Sequence, residues 1–151
     1  MSFKIGEVEI SSYKLDITDP CYDRDVWCRL NDIPISPGKY SVTEFKEGYI
    51  TECLMIKNAE EKPVGRNSQK WKYIGEIGVD AGIAGFFWNK PDFNDEQWSA
   101  FCEALKEKEQ NSSIIIDEYG IYSASQDDGG YSVYGIKNDS DNYTALKIEF
   151  I

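Results

Sequence analysis

Three acidic segments interrupted by proline or glycine carry the residues best suited to chemistry: Asp19-Pro20-Cys21-Tyr22, Asp80-Ala81-Gly82 and Asp127-Asp128-Gly129-Gly130-Tyr131. If Asp19, Asp80 and Asp128 met, their carboxylates could hold a divalent cation or share acid–base work in a metal-assisted hydrolase. An aspartate before proline or glycine also caps its own turn by accepting backbone N–H groups, and spacing alone leaves both readings open. Neither Asp127-Asp128 nor the run Asn138-Asp139-Ser140-Asp141-Asn142 has the full ligand spacing of an EF-hand loop.

Nucleophilic catalysis is more tightly bounded. The chain has no histidine, which excludes a Cys-His or Ser-His pair. Cys21 has Arg24 as its nearest cation in sequence, within a mostly acidic turn, and so lacks the positive surroundings that favour a thiolate. Cys21, Cys28, Cys53 and Cys102 form no Cys-x-x-Cys pair. That spacing argues against a zinc ribbon and for free thiols that act as small apolar fillers. No cofactor is expected.

Binding chemistry has two candidate forms. Tyr22, Trp27, Trp71, Tyr73, Trp88 and Tyr131 lie near turns, where they could stack a base or simply pack across strands. Arg66, Lys70 and Lys72 beside Trp71 make the one locally basic spot. A small-ligand site, such as a sponge for a signalling nucleotide, would then draw on Asp19, Tyr22, Arg66, Trp71, Asp80, Gly82 and Tyr131. The other form is electrostatic. Residues 1–75 hold 12 acidic and 11 basic side chains, whereas residues 76–151 hold 15 acidic and 5 basic. The acidic half repels nucleic-acid phosphates and suits a protein partner with a basic surface. Asp117, Glu118, Asp127, Asp128, Asp139 and Asp141 would present that charge, unless the acids serve only solubility.

The elements that must position these residues are mainly strands. The chain's 151 residues fit a single domain, 1–151, large enough for its own core. Period-2 alternation marks Phe3-Lys4-Ile5-Gly6-Glu7-Val8-Glu9-Ile10 and Tyr13-Lys14-Leu15-Asp16-Ile17, as one bent strand or two. Residues 23–30 read as a turn of helix under Trp27 and Leu30, and Pro34, Pro37 and Gly38 as a loop. Residues 39–46 and 49–57 flank Glu47-Gly48 as a hairpin. Residues 58–70 read as an exposed loop, and 71–80 with 83–88 as a strand pair.

The run Gly78-Val79-Asp80-Ala81-Gly82-Ile83-Ala84-Gly85-Phe86-Phe87 sets three glycines and one acid in apolar sequence. Such a run implies a sharp bend or a close approach to the backbone. A helix is expected near 94–108, starting from Asp92 or Asn94. Asn94 and Gln97 fit a capping box, and Trp98, Phe101, Cys102 and Leu105 form one apolar stripe. Strands at 114–116, 119–125, 130–137 and 143–151 follow. The expected class is α+β: a strongly curved, mostly antiparallel sheet or partly closed barrel of eight or nine strands with one main helix.

No apolar run approaches the roughly 20 residues of a membrane span, and the first residues read as a strand rather than a signal peptide. A cytoplasmic protein is expected, with no membrane partner.

Taken together, the acidic motifs resemble an uncharacterised family of small proteins from phage and bacterial genomes. That family has an Asp-Pro-Cys-Tyr turn, a Val-Asp-Ser-Gly-Gln-Ala-Gly-type segment and a Gly-Asp-Gly-x-Tyr-x-Val-Tyr-type hairpin. The first occurs here unchanged. The second is Val79-Asp80-Ala81-Gly82-Ile83-Ala84-Gly85, in which Ala81 and Ile83 replace the serine and glutamine. The third is Asp128-Gly129-Gly130-Tyr131-Ser132-Val133-Tyr134, with acid and glycine reordered. The resemblance implies a phage or mobile-element origin; with the acidic balance of residues 76–151 it leads to the expectation of a non-enzymatic protein that occupies a host protein, such as one in a defence system.

Overall fold

In the computed structural model the alternating segments become eleven strands in two antiparallel sheets; the structure describes residues 1–22, 26–80, 82–89, 94–106, 113–116, 119–124 and 127–151. The larger sheet holds, in hydrogen-bonded order, β1 (Ser2–Ile10), β4 (Gly38–Glu47), β5 (Ile50–Asn58), β11 (Tyr143–Glu149), β10 (Gly129–Lys137) and β6 (Lys72–Val79). The smaller holds β3 (Leu30–Pro34), β2 (Lys14–Thr18), β7 (Ile83–Phe87), β9 (Gly120–Ala124) and β8 (Ser113–Ile116). Alternation decides what lies between them. Val8, Ile10, Val42, Leu54 and Ile148 from one sheet share a buried cluster with Leu15, Ile17, Ala84, Phe86 and Ile121 from the other.

The β-rich class, the antiparallel pairing and the helix agree with the sequence, but the strands divide between two sheets instead of forming one. The segments 3–10 and 13–17 are two strands in different sheets. Likewise the expected pairing of 71–80 with 83–88 is replaced by a crossover. β6 pairs with β10, while β7 pairs with β2 and β9. Gly82 makes that crossover turn with φ +77°, a conformation costly for residues with a Cβ. Gly85 serves the other purpose anticipated for this run. A Cβ there would collide with the Ile121 carbonyl, because β7 and β9 approach closely. Residues 30–34, read as turn and loop from their prolines, form β3 instead, and Trp27 lies exposed instead of covering a core. The Glu47-Gly48 hairpin is present, with Gly48 at φ +63°.

Each sheet has a second face that needs cover. Helix α1 (Asp95–Lys106) covers the smaller sheet: Leu105 is buried with Ile83, Tyr122 and Ala124. Its capping box is reciprocal. Gln97 N–H donates to Asn94 Oδ1 at 2.8 Å, and Asn94 N–H donates to Gln97 Oε1 at 3.0 Å. The alternative start at Asp92, and the expected end at 107–108, lie outside the described residues.

The larger sheet is covered by a strap, residues 59–71, in which Trp71 is buried with Met55 and Ala145. Arg66 pins it, with Nη2 on Glu149 Oε1 at 2.7 Å and Nη1 on Glu52 Oε1 at 3.2 Å. Lys147 Nζ donates to Glu149 Oε2 at 2.8 Å and to the Arg66 carbonyl. Among the described residues no helix is long and apolar enough to cross a membrane.

Candidate functional site

The first two acidic segments are tied through Asp19, whose side chain is fully buried. Its Oδ1 accepts the Cys21 N–H at 2.9 Å and its Oδ2 accepts the Asp80 N–H at 3.0 Å. The first bond closes the Asp19-Pro20-Cys21-Tyr22 turn on itself, and Tyr22 N–H adds a bond to the Asp19 carbonyl at 3.2 Å. The second bond anchors the sheet-to-sheet crossover at Asp80. The turn also receives the helix: Trp98 Nε1 donates to the Pro20 carbonyl at 3.1 Å.

The third segment arrives through strand register. Gly129 stands opposite Val79 and Gly130 opposite Gly78, so 127–128 runs beside the Asp80 end of β6. All three segments therefore meet at one corner of the molecule. Their carboxylates do not make a metal centre: among the described residues no group of three or more Cys, Asp or Glu could hold an ion. Asp19 is occupied by backbone N–H groups, as in the turn-capping reading.

An open cavity of about 540 Å³ lies at this corner. Its floor is backbone, since Gly78 and Gly130 face each other across the β6–β10 ladder. Tyr22, Trp27 and Cys28 form one wall and Glu76 another. The volume falls in the range of small-ligand pockets, about 300–1,000 Å³. Glu76, Asp80, Asp127 and Asp128 are all exposed here. No lysine or arginine lines the cavity among the described residues.

Tyr22 and Cys28 in that wall are each held by a hydrogen bond to the backbone carbonyl. Arg29 Nη1 donates to the Tyr22 carbonyl at 2.7 Å, while its Nη2 pairs with Asp16 Oδ2 at 3.0 Å. Gly78 N–H, on the edge of the larger sheet, donates to the Cys28 carbonyl at 2.8 Å. Between these anchors Trp27 is 92% exposed. Partial burial, then the neighbouring Cys28, Asp80 and Asp19, push the Tyr22 phenol up to about 12, so it stays neutral and offers a donor. Burial, together with Asp127 and Asp128, likewise raises Tyr131, whose hydroxyl donates to the Asp127 carbonyl at 2.6 Å.

The residues singled out from sequence thus separate. Asp19, Tyr22, Asp80, Gly82 and Tyr131 gather at the corner. Arg66 and Trp71 do not: they belong to the strap on the outer face of the larger sheet, the guanidinium paired and the indole buried. The glutamate hydrogen bonds raise Arg66 despite its partial burial, which fixes it as a structural cation. Of the other two members of the expected basic spot, Lys72 is exposed at the start of β6, and Lys70 lines a smaller cavity of about 180 Å³ with Lys57 and Lys62. There Lys57 Nζ already donates to the carbonyls of Asn58 and Glu61.

The six acids expected to meet a partner also divide. Asp127 and Asp128 stand at the start of β10, beside the cavity, and Asp139 and Asp141 stand in the turn beyond its far end. Nine strand residues at about 3.3 Å each put the two groups roughly 30 Å apart. Asp141 is paired with Lys137 at 3.1 Å. Asp117 and Glu118 lie outside the described residues. Glu76 and the anchor Arg29 escaped the sequence reading. The one available signal was the density of outward glycines at 78, 129 and 130, interpretable only once β6 and β10 are known to pair. No protein-family model, curated protein or solved structure matches this chain.

Proposed function

We propose that this is a non-enzymatic binding protein that engages a protein partner through a basic surface, using the acidic corner between β6 and β10. The observation that carries this reading is an open cavity lined by exposed Glu76 and by no described cation, with exposed Asp80 and Asp127–Asp128 adjoining its lining residues Val79 and Gly129. Like-signed, exposed carboxylates steer a basic surface into place over a Debye length, about 8 Å at physiological ionic strength. In the phage or mobile-element setting that the motifs imply, the partner is a host protein of a defence system.

The test is affinity capture from host lysate at low and high salt, with E76Q/D80N/D127N/D128N and D139N/D141N as paired variants. The first set should lose a salt-sensitive, stoichiometric partner and the second should keep it. Capture that persists in 0.5 M salt, or that fails equally in both variants, sinks the reading.

A signalling-nucleotide binder is the second reading, favoured by the cavity's volume and by Trp27 at its rim. Its weakness is the absence of a described cation for the phosphates there, Arg66 being held in the strap. Thermal shift against mono-, di- and cyclic nucleotides decides it: a tight ligand raises Tm, and a flat panel removes the idea.

A further inference from the structure

We infer that the cavity beside β6 is the receptor for an arginine side chain presented by the basic partner, an assignment that rests on the function proposed above. Charge comes first. Glu76 is the acid that lines the cavity and has no ion-pair partner among the described residues; exposed Asp80 follows the lining residue Val79, and exposed Asp127 and Asp128 precede the lining residue Gly129. Among the described lining residues a phosphate or carboxylate ligand would meet one charged side chain, the like-charged Glu76.

Shape comes second. The missing side chains of Gly78 and Gly130 make room for the walls: Glu76 lies over Gly130 and Cys28 over Gly78. A Cβ on Gly130 would strike Glu76 Oε1, and one on Gly78 would lie 3.0 Å from Cys28 Sγ. The floor borders an edge strand, which leaves alternate carbonyls without a ladder partner.

Trp27 comes third. A large aromatic side chain that is 92% exposed, next to Cys28 whose carbonyl accepts the Gly78 N–H, adds nothing to the core. It does offer a π face to a cation. A flat π face and a carboxylate together suit a guanidinium better than an ammonium. The guanidinium is planar, stacks on an indole and carries five N–H donors, whereas the ammonium is a compact, strongly hydrated point charge.

The test uses the full chain, isotopically labelled, titrated by NMR with the peptide acetyl-Gly-Ser-Arg-Ser-Gly-amide. Saturable shifts are expected at the Gly78, Gly129 and Gly130 amides and at the Trp27 indole. The citrulline twin, equal in shape but uncharged, should bind at least about tenfold more weakly, and the lysine twin should fall between. E76Q and W27A should each weaken arginine binding by about tenfold while leaving Tm unchanged, because both side chains are exposed.

Equal shifts at the Asp139–Asp141 turn, or undiminished binding by both variants, would overturn the assignment. It would leave the broader reading intact if salt-sensitive capture of a basic partner persisted. Tighter binding of spermidine than of the peptide would replace a protein side chain by a free polyamine. Failure of every cationic probe at low salt would remove both the receptor and the electrostatic reading.

Discussion

The two sheets solve the same problem, an outer face that must leave water, by different means. Over the smaller sheet lies a helix whose apolar stripe ends in fully buried Leu105. Over the larger sheet lies an irregular strap held by Arg66, Glu149, Glu52 and Lys147 around Trp71. The helical cover is a local device, with its contacts at i, i+3, i+4 and i+7 along one segment. The strap is a long-range one, since Arg66 reaches Glu149 across 83 residues. An apolar cover is insensitive to pH and salt, whereas a half-buried ionic cover is conditional on both.

The largest expected effect is on the apolar side. Leu105→Ala should cost about 3–4 kcal/mol in denaturant unfolding, with little change between pH 4 and 7. A loss under about 1 kcal/mol would mean that the helix is not the seal described. Arg66→Ala should cost about 3 kcal/mol, because it strands Glu149 and Glu52 in a poorly hydrated place. Urea midpoints of the two variants at several salt concentrations would separate the covers.

Acid sharpens the contrast further. Burial pushes the Glu149 carboxyl up, but hydrogen bonds from Arg66 and Lys147 outweigh it and hold the group below the ordinary 4.5. A depressed folded-state pKa contributes stability that is present above 4.5 and lost as pH falls through the lower folded value. E149Q should flatten stability against pH in that acid range, while L105A should shift the whole curve without changing its slope. Smaller again is Asn94→Ala, expected to cost about 1 kcal/mol through the capping box. Smallest is Trp27→Ala, within about 0.5 kcal/mol of the parent in unfolding.

This difference also explains what the sequence could disclose. Alternation in residues 3–10, the Glu47-Gly48 hairpin and the Asn94–Gln97 cap are short-range patterns, and all three appear in the structure. Sheet membership is not short-range. Whether 71–80 pairs with 83–88 or parts from it depends on Asp19 gripping the Asp80 N–H from 61 residues away. Strand β3 was hidden because Asp32, at φ +56°, and Pro34 read as loop chemistry.

The candidate site follows the same logic. Its aspartate turns were visible as motifs, but the cavity is not one motif. It arises where the register of β10 sets Gly130 against Gly78 and where Tyr22, bound by Arg29, and Cys28 stand beside them. Arg66 and Trp71 looked like a ligand spot for the opposite reason: their adjacency to lysines is local, and the partners that occupy them are distant.

Strand order carries a consequence for how the molecule comes to be. β11, the last strand along the chain, lies between β5 and β10 in the interior of the larger sheet. Until residues 143–149 are available, β1, β4 and β5 can pair with the β5 edge left open, and β10 and β6 can pair with each other but have no link to those three strands. The corner that β10 and β6 create therefore depends on nearly the whole chain being present. Early in synthesis the exposed edge of β5 is the surface most prone to mispairing with another nascent copy.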